Sequence, residues 1–169
     1  MAKGSSKFGK YKERKVREAL RNPINVLKSL SEKSQEKSYK YQRLYRNLYN
    51  PEFYLLAYQN IYANKGSMTP GVDGMTIDGI SMARINRIIE SMRNQSYQPK
   101  PARREYIKKK TGNKKRPLGI SSADDKLVQE VVRMILESIY EGSFSVKSHG
   151  FRPNKSCHTA LIQIRKTFT

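Results

Sequence analysis

The sequence predicts an α+β fold that is mostly helical and carries one antiparallel β-hairpin or small sheet. Amphipathic helical patterns recur along most of the 169-residue chain. Residues 103–120 instead form two extended arms around a Thr111-Gly112-Asn113 turn. No internal repeat is visible, and the length suits one domain with or without an extension.

The first half of the chain predicts three helices. Asn22-Pro23 supplies an N-cap and a proline at the first helical position. Apolar residues from Tyr41 to Leu48 recur at helical spacing, and Asn50-Pro51-Glu52 is a strong helix start. We expect the helix that begins at Pro51 to turn one face inward. That face comprises Phe53, Leu56, Ala57, Asn60 and Ile61.

The second half predicts a glycine-rich loop and three more helices. The loop, residues 65–80, is expected to be structured because apolar side chains interrupt it as anchors: Val72, Met75, Ile77 and Ile80. Helices then start at Ser81 and at Ser121-Ser122, and the second of these carries the widest apolar stripe, typical of a buried central helix. The last helix starts at Asn154 or Ser156. Its predicted inward residues are Ala160, Leu161, Ile164 and Phe168.

The charge balance indicates a polyanionic partner. Thirty-four Lys and Arg residues face fourteen Asp and Glu, which gives a net charge of +20. The sequence has neither a run of ~20 apolar residues nor an apolar signal core at its start, so nucleic acid is favoured over membrane. The single cysteine, Cys157, excludes an internal disulfide and fits a reducing compartment.

The predicted hairpin concentrates positive charge on a stiff two-stranded arm. Its natural ligand is a polyphosphate or a nucleic-acid backbone. On charge alone, a solvated basic loop is an equal alternative. The cations are Lys108, Lys109, Lys110, Lys114, Lys115 and Arg116.

The residues alone predict no catalytic or metal centre. Cys157, His158 and His149 match no common zinc spacing, so a small buried thiol and hydrogen-bonded histidines are expected. Asp124-Asp125 has the pattern of a helix start. Asp73 in the glycine-rich loop favours a side-chain-to-backbone turn.

Four segments together resemble one family. They read KGSMTPGVDG, YQPKPARREYIKKKTGNKKRPLGI, DDKLVQEVVRMILESIYE and FSVKSHGFRPNKSCHTAL. They are similar to the N-terminal part of group II intron reverse transcriptase/maturases, from about Leu44 onward. The resemblance implies the fingers subdomain of a right-hand polymerase with the first palm helices in residues 39–169. A basic, partly flexible, RNA-anchoring extension would occupy residues 1–38. One departure is Ser121, where many relatives have proline.

The resemblance also implies roles for individual residues. By position in the fingers arm, Lys109 and Arg116 match the two basic residues that grip the nucleotide triphosphate. Contacts to template or RNA are implied for Lys65, Asp73, Lys108, Lys110, Lys114, Lys115, His149 and Arg152. Anchoring of intron RNA is implied for Lys10, Lys12, Arg14, Lys15, Arg17 and Arg21.

The implied partners are group II intron RNA, template–primer nucleic acid and a deoxynucleoside triphosphate, in the bacterial cytoplasm or an organelle interior. Mg²⁺ is implied for the longer parent protein. The family's metal-binding palm aspartates would follow Thr169, so we expect a truncated protein without polymerase activity of its own. Apolar faces meant for the palm predict dimerisation or marginal stability. A stand-alone RNA-binding or splicing module is the alternative, and a ribosomal-type basic protein is a third, less favoured one.

Overall fold

A computed structural model of the chain describes residues 21–64, 66–109 and 114–168 and confirms the α+β class. Its α-helices are α1 (Pro23–Lys33), α2 (Pro51–Tyr62), α3 (Met82–Arg93), α4 (Ala123–Tyr140) and α5 (Cys157–Phe168). Strands β1 (Arg103–Lys108) and β2 (Lys115–Ile120) pair antiparallel. Short 3₁₀ segments span Leu44–Tyr49, Ile77–Gly79 and Glu141–Ser143.

Side-chain caps start four of these helices where the sequence predicts them. The Asn22 side chain accepts the backbone N–H of Ile24 at 2.9 Å at the start of α1. The side chains of Asn50, Ser81 and Ser122 do the same for α2, α3 and α4 at 3.0, 3.3 and 3.2 Å. These bonds satisfy amide groups that a helix start otherwise leaves without a partner.

Helix α4 is the centre of the core, as its wide apolar stripe predicts. Helices α1 and α2 both pack against it, and α3 packs against α2. Helix α1 therefore belongs to the packed body, although it lies within the predicted extension; the boundary at residue 38 stays a prediction. The buried core comprises Phe53, Tyr54, Ala57, Ile77, Ile85, Ile88, Ile89, Leu127, Val131, Met134, Ile135 and Ile139.

The prediction that the last helix turns an apolar face inward is wrong. Leu161, Ile164 and Phe168 are 62%, 54% and 85% exposed, and no residue of α5 is buried. The amphipathic pattern correctly predicts a helix, but no described element lies against its apolar side. Cys157, expected to be buried, is exposed for the same reason.

Two further expectations need correction. Val72 and Met75 are largely exposed, so they do not anchor the glycine-rich loop, whereas Ile77 is buried. The pattern from Tyr41 to Leu48 forms a 3₁₀ helix that starts only at Leu44, because Arg43 adopts the left-handed region at φ 55° and interrupts the helical path.

None of the helices in the described ranges combines the length and apolar character needed to cross a bilayer.

Candidate nucleic-acid interface

The register of the hairpin decides which cations share a face. Ile107 pairs with Arg116 and Lys108 with Lys115, and the Lys109 amide donates to the Lys114 carbonyl at 3.0 Å. Cross-strand partners project to the same side of a sheet, and successive residues project to opposite sides. Lys109 and Arg116 therefore lie on one face, and Lys108 and Lys115 lie on the other.

The face with Lys109 and Arg116 is the one that meets the body of the protein at the base of the hairpin. Arg103 and Ile120 pair on this same face. Ile120 is buried there, and the Arg103 Nε donates to the Pro70 carbonyl at 3.1 Å. The two predicted nucleotide-binding residues therefore face the same side as the glycine-rich loop.

The described cations of the hairpin tip are free to bind a ligand. The side chains of Lys108, Lys109, Lys114, Lys115 and Arg116 are exposed, and they form no ion pair with any other described residue. Exposed, unpaired cations on two close strands concentrate positive potential without compensating carboxylates. Lys110, also predicted here, lies outside the described residues.

Asp125 fixes the path of the chain into the hairpin. Its carboxylate accepts the Tyr97 hydroxyl at 2.5 Å, the Lys100 amide at 3.1 Å and the Ser122 hydroxyl at 2.6 Å. Burial, and then the bond to Asp125, raise the pKa of Tyr97, which therefore stays a neutral donor. The sequence indicates only a first-turn acid at Asp125, because two of its partners, Tyr97 and Lys100, lie 28 and 25 residues away along the chain.

Asp73 connects the glycine-rich loop to Lys100, the residue that Asp125 also holds. Its carboxylate accepts the Met75 amide at 3.1 Å, which confirms the predicted turn, and forms an ion pair with Lys100 Nζ at 2.8 Å. The bond from Lys100 lowers the pKa of Asp73. Buried Arg84 lies 3.8 Å from Asp73 and 2.5 Å from Asp124. The predicted template role of Asp73 stays a prediction, and its carboxylate is engaged in holding the loop.

Lys126 is a structural residue that the sequence does not single out. Its ammonium donates to the carbonyls of Gly66, Ser67 and Thr69 at 3.2, 3.1 and 2.7 Å. Burial lowers the pKa of Lys126. One lysine on α4 thus holds the start of the loop, while Asp73 holds its middle.

His149 and Arg152 also make extensive internal contacts. The imidazole nitrogens of His149 lie 2.8 Å from the Thr159 hydroxyl and 2.5 Å from the Gln163 side-chain oxygen, which joins the loop to α5. Arg152 donates to the Glu141 carboxylate at 2.8 Å and to the carbonyls of Ser145 and Ser148. The predicted contacts of His149 and Arg152 with template stay predictions. Any such contact would have to compete with these internal hydrogen bonds.

The remaining predicted sites fall mostly outside the described residues. Among the predicted RNA anchors, only Arg21 is described, and its carbonyl accepts the Asn50 side-chain amide at 2.8 Å. The residues that cannot be placed are Lys10, Lys12, Arg14, Lys15, Arg17 and Lys65.

The described ranges contain no group of three or more His, Cys, Asp or Glu side chains arranged to hold a metal ion. The carboxylates of Asp73, Asp124 and Asp125 are each engaged with protein cations or donors. These residues therefore do not fit the Mg²⁺ that the resemblance implies for the longer parent.

The chain is 51% identical over 150 residues to the group II intron-encoded protein LtrA of Lactococcus lactis subsp. cremoris. The aligned residues make up 88% of this chain. By homology, the chain belongs with the group II intron-encoded proteins. The match covers 25% of LtrA and corresponds to its N-terminal portion, so the chain spans about a quarter of that relative.

Other relatives agree with this assignment. An uncharacterized 91 kDa protein in a cob intron of Schizosaccharomyces pombe is 44% identical over 88% of this chain and 19% of its own length. Nuclear intron maturase 2, mitochondrial, of Arabidopsis thaliana is 57% identical over 26% of this chain and 6% of its own length. No protein-family model matches the chain.

Proposed function

We propose that this chain is the fingers part of an RNA-directed DNA polymerase and maturase encoded by a group II intron. In this proposal it binds intron RNA and template through its basic surfaces, and its hairpin contributes Lys109 and Arg116 to the triphosphate of the incoming nucleotide. The observation that supports it most is the strand register, which directs both side chains to one face. That face is the one anchored to the body through Arg103 and Ile120.

The chemistry of nucleotide addition suits this arrangement. Negative charge develops on the leaving pyrophosphate, and fixed cations stabilise it. Arg116 on β2 offers planar paired donors, and Lys109 at the end of β1 offers a compact positive charge. Together the two side chains can contact the phosphate oxygens from both sides. Mg²⁺ and its carboxylate ligands would come from the rest of the longer protein, in the bacterial cytoplasm or an organelle interior.

The two faces of the hairpin provide a matched experiment in a full-length protein that carries this chain and the polymerase aspartates. Replacing both Lys109 and Arg116 with Ala should lower kcat/KM for the nucleotide about 100-fold, because two charge-assisted contacts are lost. Replacing both Lys108 and Lys115 with Ala removes the same charge from the opposite face. Because these two residues are predicted to contact template or RNA, this variant should weaken template–primer binding but change kcat/KM for the nucleotide less than about threefold when template–primer is saturating. Equal effects of the two double variants would refute the assignment of the face.

A stand-alone RNA-binding or splicing module remains the second candidate. The net charge of +20 favours it, as does the word maturase in the name of one relative. Splicing of a group II intron RNA by the 169-residue protein alone, compared with buffer, would support this candidate over the first.

A further inference from the structure

The hairpin meets the body of the protein only at its base. In both strands every residue is exposed except Arg103 and Ile120, which lie at the base. The described residues contain no third strand beside β1 and β2. Because a two-stranded hairpin is only marginally stable by itself, its direction relative to the body must be set by contacts at the base.

The length of the hairpin makes its tip sensitive to small changes at the base. Lys109 lies six residues beyond Arg103, which is about 20 Å of extended strand at about 3.3 Å per residue. Over that length, a rotation of about 3° at the base moves the tip by about 1 Å. Since a misplacement of about 1 Å can cost roughly 100-fold in rate, the angle of the hairpin must be held closely for its tip to serve a reaction.

One carboxylate joins the two ends of the hairpin at this base. Strand β2 ends at Ile120, and α4 follows almost at once, from Ala123. Asp125, in the first turn of α4, reaches back to the segment that enters β1. Its Oδ1 accepts the Tyr97 hydroxyl at 2.5 Å, and its Oδ2 accepts the Lys100 amide at 3.1 Å. The chain that enters the hairpin is thereby bonded to the chain that leaves it.

Burial makes this junction costly to break. The Asp125 side chain belongs to a residue only 4% exposed, and the Ser122 hydroxyl is its third donor, at 2.6 Å. A buried carboxylate that loses its donors has no water to replace them, so the bonded arrangement is strongly preferred. Lys100 is held at its other end as well, because its Nζ pairs with Asp73 of the glycine-rich loop at 2.8 Å.

We propose that Tyr97, Lys100 and Asp125 are positioning residues for nucleotide addition. They fix the angle at which the hairpin leaves the body, and this angle keeps Lys109 and Arg116 at the triphosphate of the nucleotide. The three residues act through the hairpin and need no contact with the nucleotide itself. This inference rests on the proposed function, because binding of the nucleotide by the hairpin is what the placement serves.

Two tyrosine variants of the full-length protein provide a matched test. Tyr97→Phe removes the hydroxyl that Asp125 accepts. Tyr54→Phe removes a comparable hydroxyl bond, 3.0 Å to the Leu48 carbonyl, from a buried core residue that lies outside the junction. Each variant loses one oxygen atom and keeps its ring. The kinetics of nucleotide addition are then measured at saturating template–primer.

Tyr97→Phe should raise the nucleotide KM about fivefold and change kcat less than about twofold, because a displaced hairpin binds the nucleotide less well both before and during the reaction. Tyr54→Phe should leave the nucleotide KM within about twofold of wild type. Loss of stability alone reduces the amount of active enzyme, which lowers the apparent kcat and leaves KM unchanged. A Tyr97→Phe protein with the same KM as Tyr54→Phe would overturn the inference.

Two substitutions of Asp125 test the hydrogen bonds themselves. Asn retains an oxygen for the Lys100 amide, and its own amide group can donate to the Tyr97 oxygen, whereas Ala removes both bonds. Asp125→Asn should therefore raise the nucleotide KM less than about threefold and Asp125→Ala more than about tenfold. An Asn variant as impaired in KM as the Ala variant would contradict the proposal. If Asp125→Ala does not fold, the two tyrosine variants decide the question.

Combination with the hairpin variant separates failure of this inference from failure of the proposed function. In a protein that already carries Lys109→Ala and Arg116→Ala, Tyr97→Phe should change kcat/KM less than about twofold, because the cations that the base places are gone. A full fivefold loss in that background would overturn the positioning role alone. If Lys109→Ala with Arg116→Ala leaves kcat/KM unchanged, the proposed function fails and this inference fails with it.

The junction can also be measured in the 169-residue chain without nucleotide. In hydrogen exchange followed by NMR, Tyr97→Phe should speed exchange of the Lys100 amide at least about threefold, because the carboxylate that accepts this amide loses one of its tethers. Tyr54→Phe should leave the exchange of this amide as in wild type. Unchanged exchange of the Lys100 amide in Tyr97→Phe would show that Tyr97 does not hold the base of the hairpin and would overturn the inference.

Discussion

Glu130 is a buried acid in the middle of α4, next to the apolar stripe. It accepts two bonds from Arg133, at 2.7 and 2.8 Å, and one from Asn60 of α2 at 3.0 Å. Burial alone would raise the pKa of Glu130, but these bonds outweigh it and the pKa is lowered. The carboxylate therefore joins two packed helices through charged hydrogen bonds.

This pKa shift predicts how stability depends on pH. A carboxylate whose pKa is lowered by folding stabilises the folded state at pH values above its ordinary pKa of 4.5. This contribution is lost as the pH falls through the pKa of the folded state. Glu130→Gln should lower the free energy of unfolding at pH 7 by about 1 kcal/mol, a modest value because Arg133 is half exposed. The difference from wild type should shrink between pH 6 and pH 3 in urea titrations.

Glu137 provides the control, since it pairs with the same Arg133 but is more exposed. Glu137→Gln should change the free energy of unfolding by less than about 0.5 kcal/mol at any of these pH values. A deficit of Glu130→Gln that stays constant down to pH 3 would contradict the role of its charge.

The hairpin is positioned by the element beside it, the glycine-rich loop. At Gly71 the loop backbone passes so close to the start of α4 that an added Cβ would lie 2.6 Å from the Ser122 Cα and 2.9 Å from its amide nitrogen. Both neighbours are backbone atoms and cannot rotate away. Gly71 is thus required for close approach, while the Arg103 contact to Pro70 next to it holds β1.

Two glycine substitutions test this packing. Gly71→Ala should lower the melting temperature by several degrees, because the loop or the helix start must shift to admit the methyl group. Gly66→Ala, in the same loop, places its Cβ where no atom lies within 4 Å and should be nearly neutral. Thermal unfolding by circular dichroism compares them, and a Gly71→Ala protein as stable as Gly66→Ala would show that the loop is not packed as described.

The elements that could be predicted from sequence are those that local rules specify. The helix caps, the apolar stripe of α4 and the two strands of the hairpin depend on neighbouring residues. The helices begin at the caps Asn22, Asn50 and Ser81, and the strands pair antiparallel as predicted. The base of the hairpin could not be predicted, because its hydrogen bonds join residues that are distant in sequence. Asp125 bonds to Tyr97, and Lys126 bonds to Gly66, only in the folded chain. The cavity between α1 and the 3₁₀ helix Leu44–Tyr49 could not be predicted for the same reason, because its lining cations come from four separate stretches of the chain.

Across the whole molecule, positive charge and uncovered apolar surface lie on different elements. The hairpin carries exposed cations, whereas α5 exposes Leu161, Ile164 and Phe168. LtrA is about four times as long as the segment that it shares with this chain, so further protein is available to cover the corresponding helix in that relative. Dimerisation of this chain stays a prediction, and a net charge of +20 opposes it at low salt.

The measurement that tests the central claim most directly is RNA binding by the wild-type chain as a function of salt. If the hairpin and the other basic surfaces of the chain together contact at least four phosphates, log K should fall with log salt at a slope of about −3 or steeper, because each contact contributes about −0.7 to −0.9. Fluorescence anisotropy with a group II intron RNA between 50 and 400 mM salt provides this slope. A slope flatter than about −1, or no binding at 50 mM salt, would contradict a protein whose exposed cations serve to hold RNA phosphates.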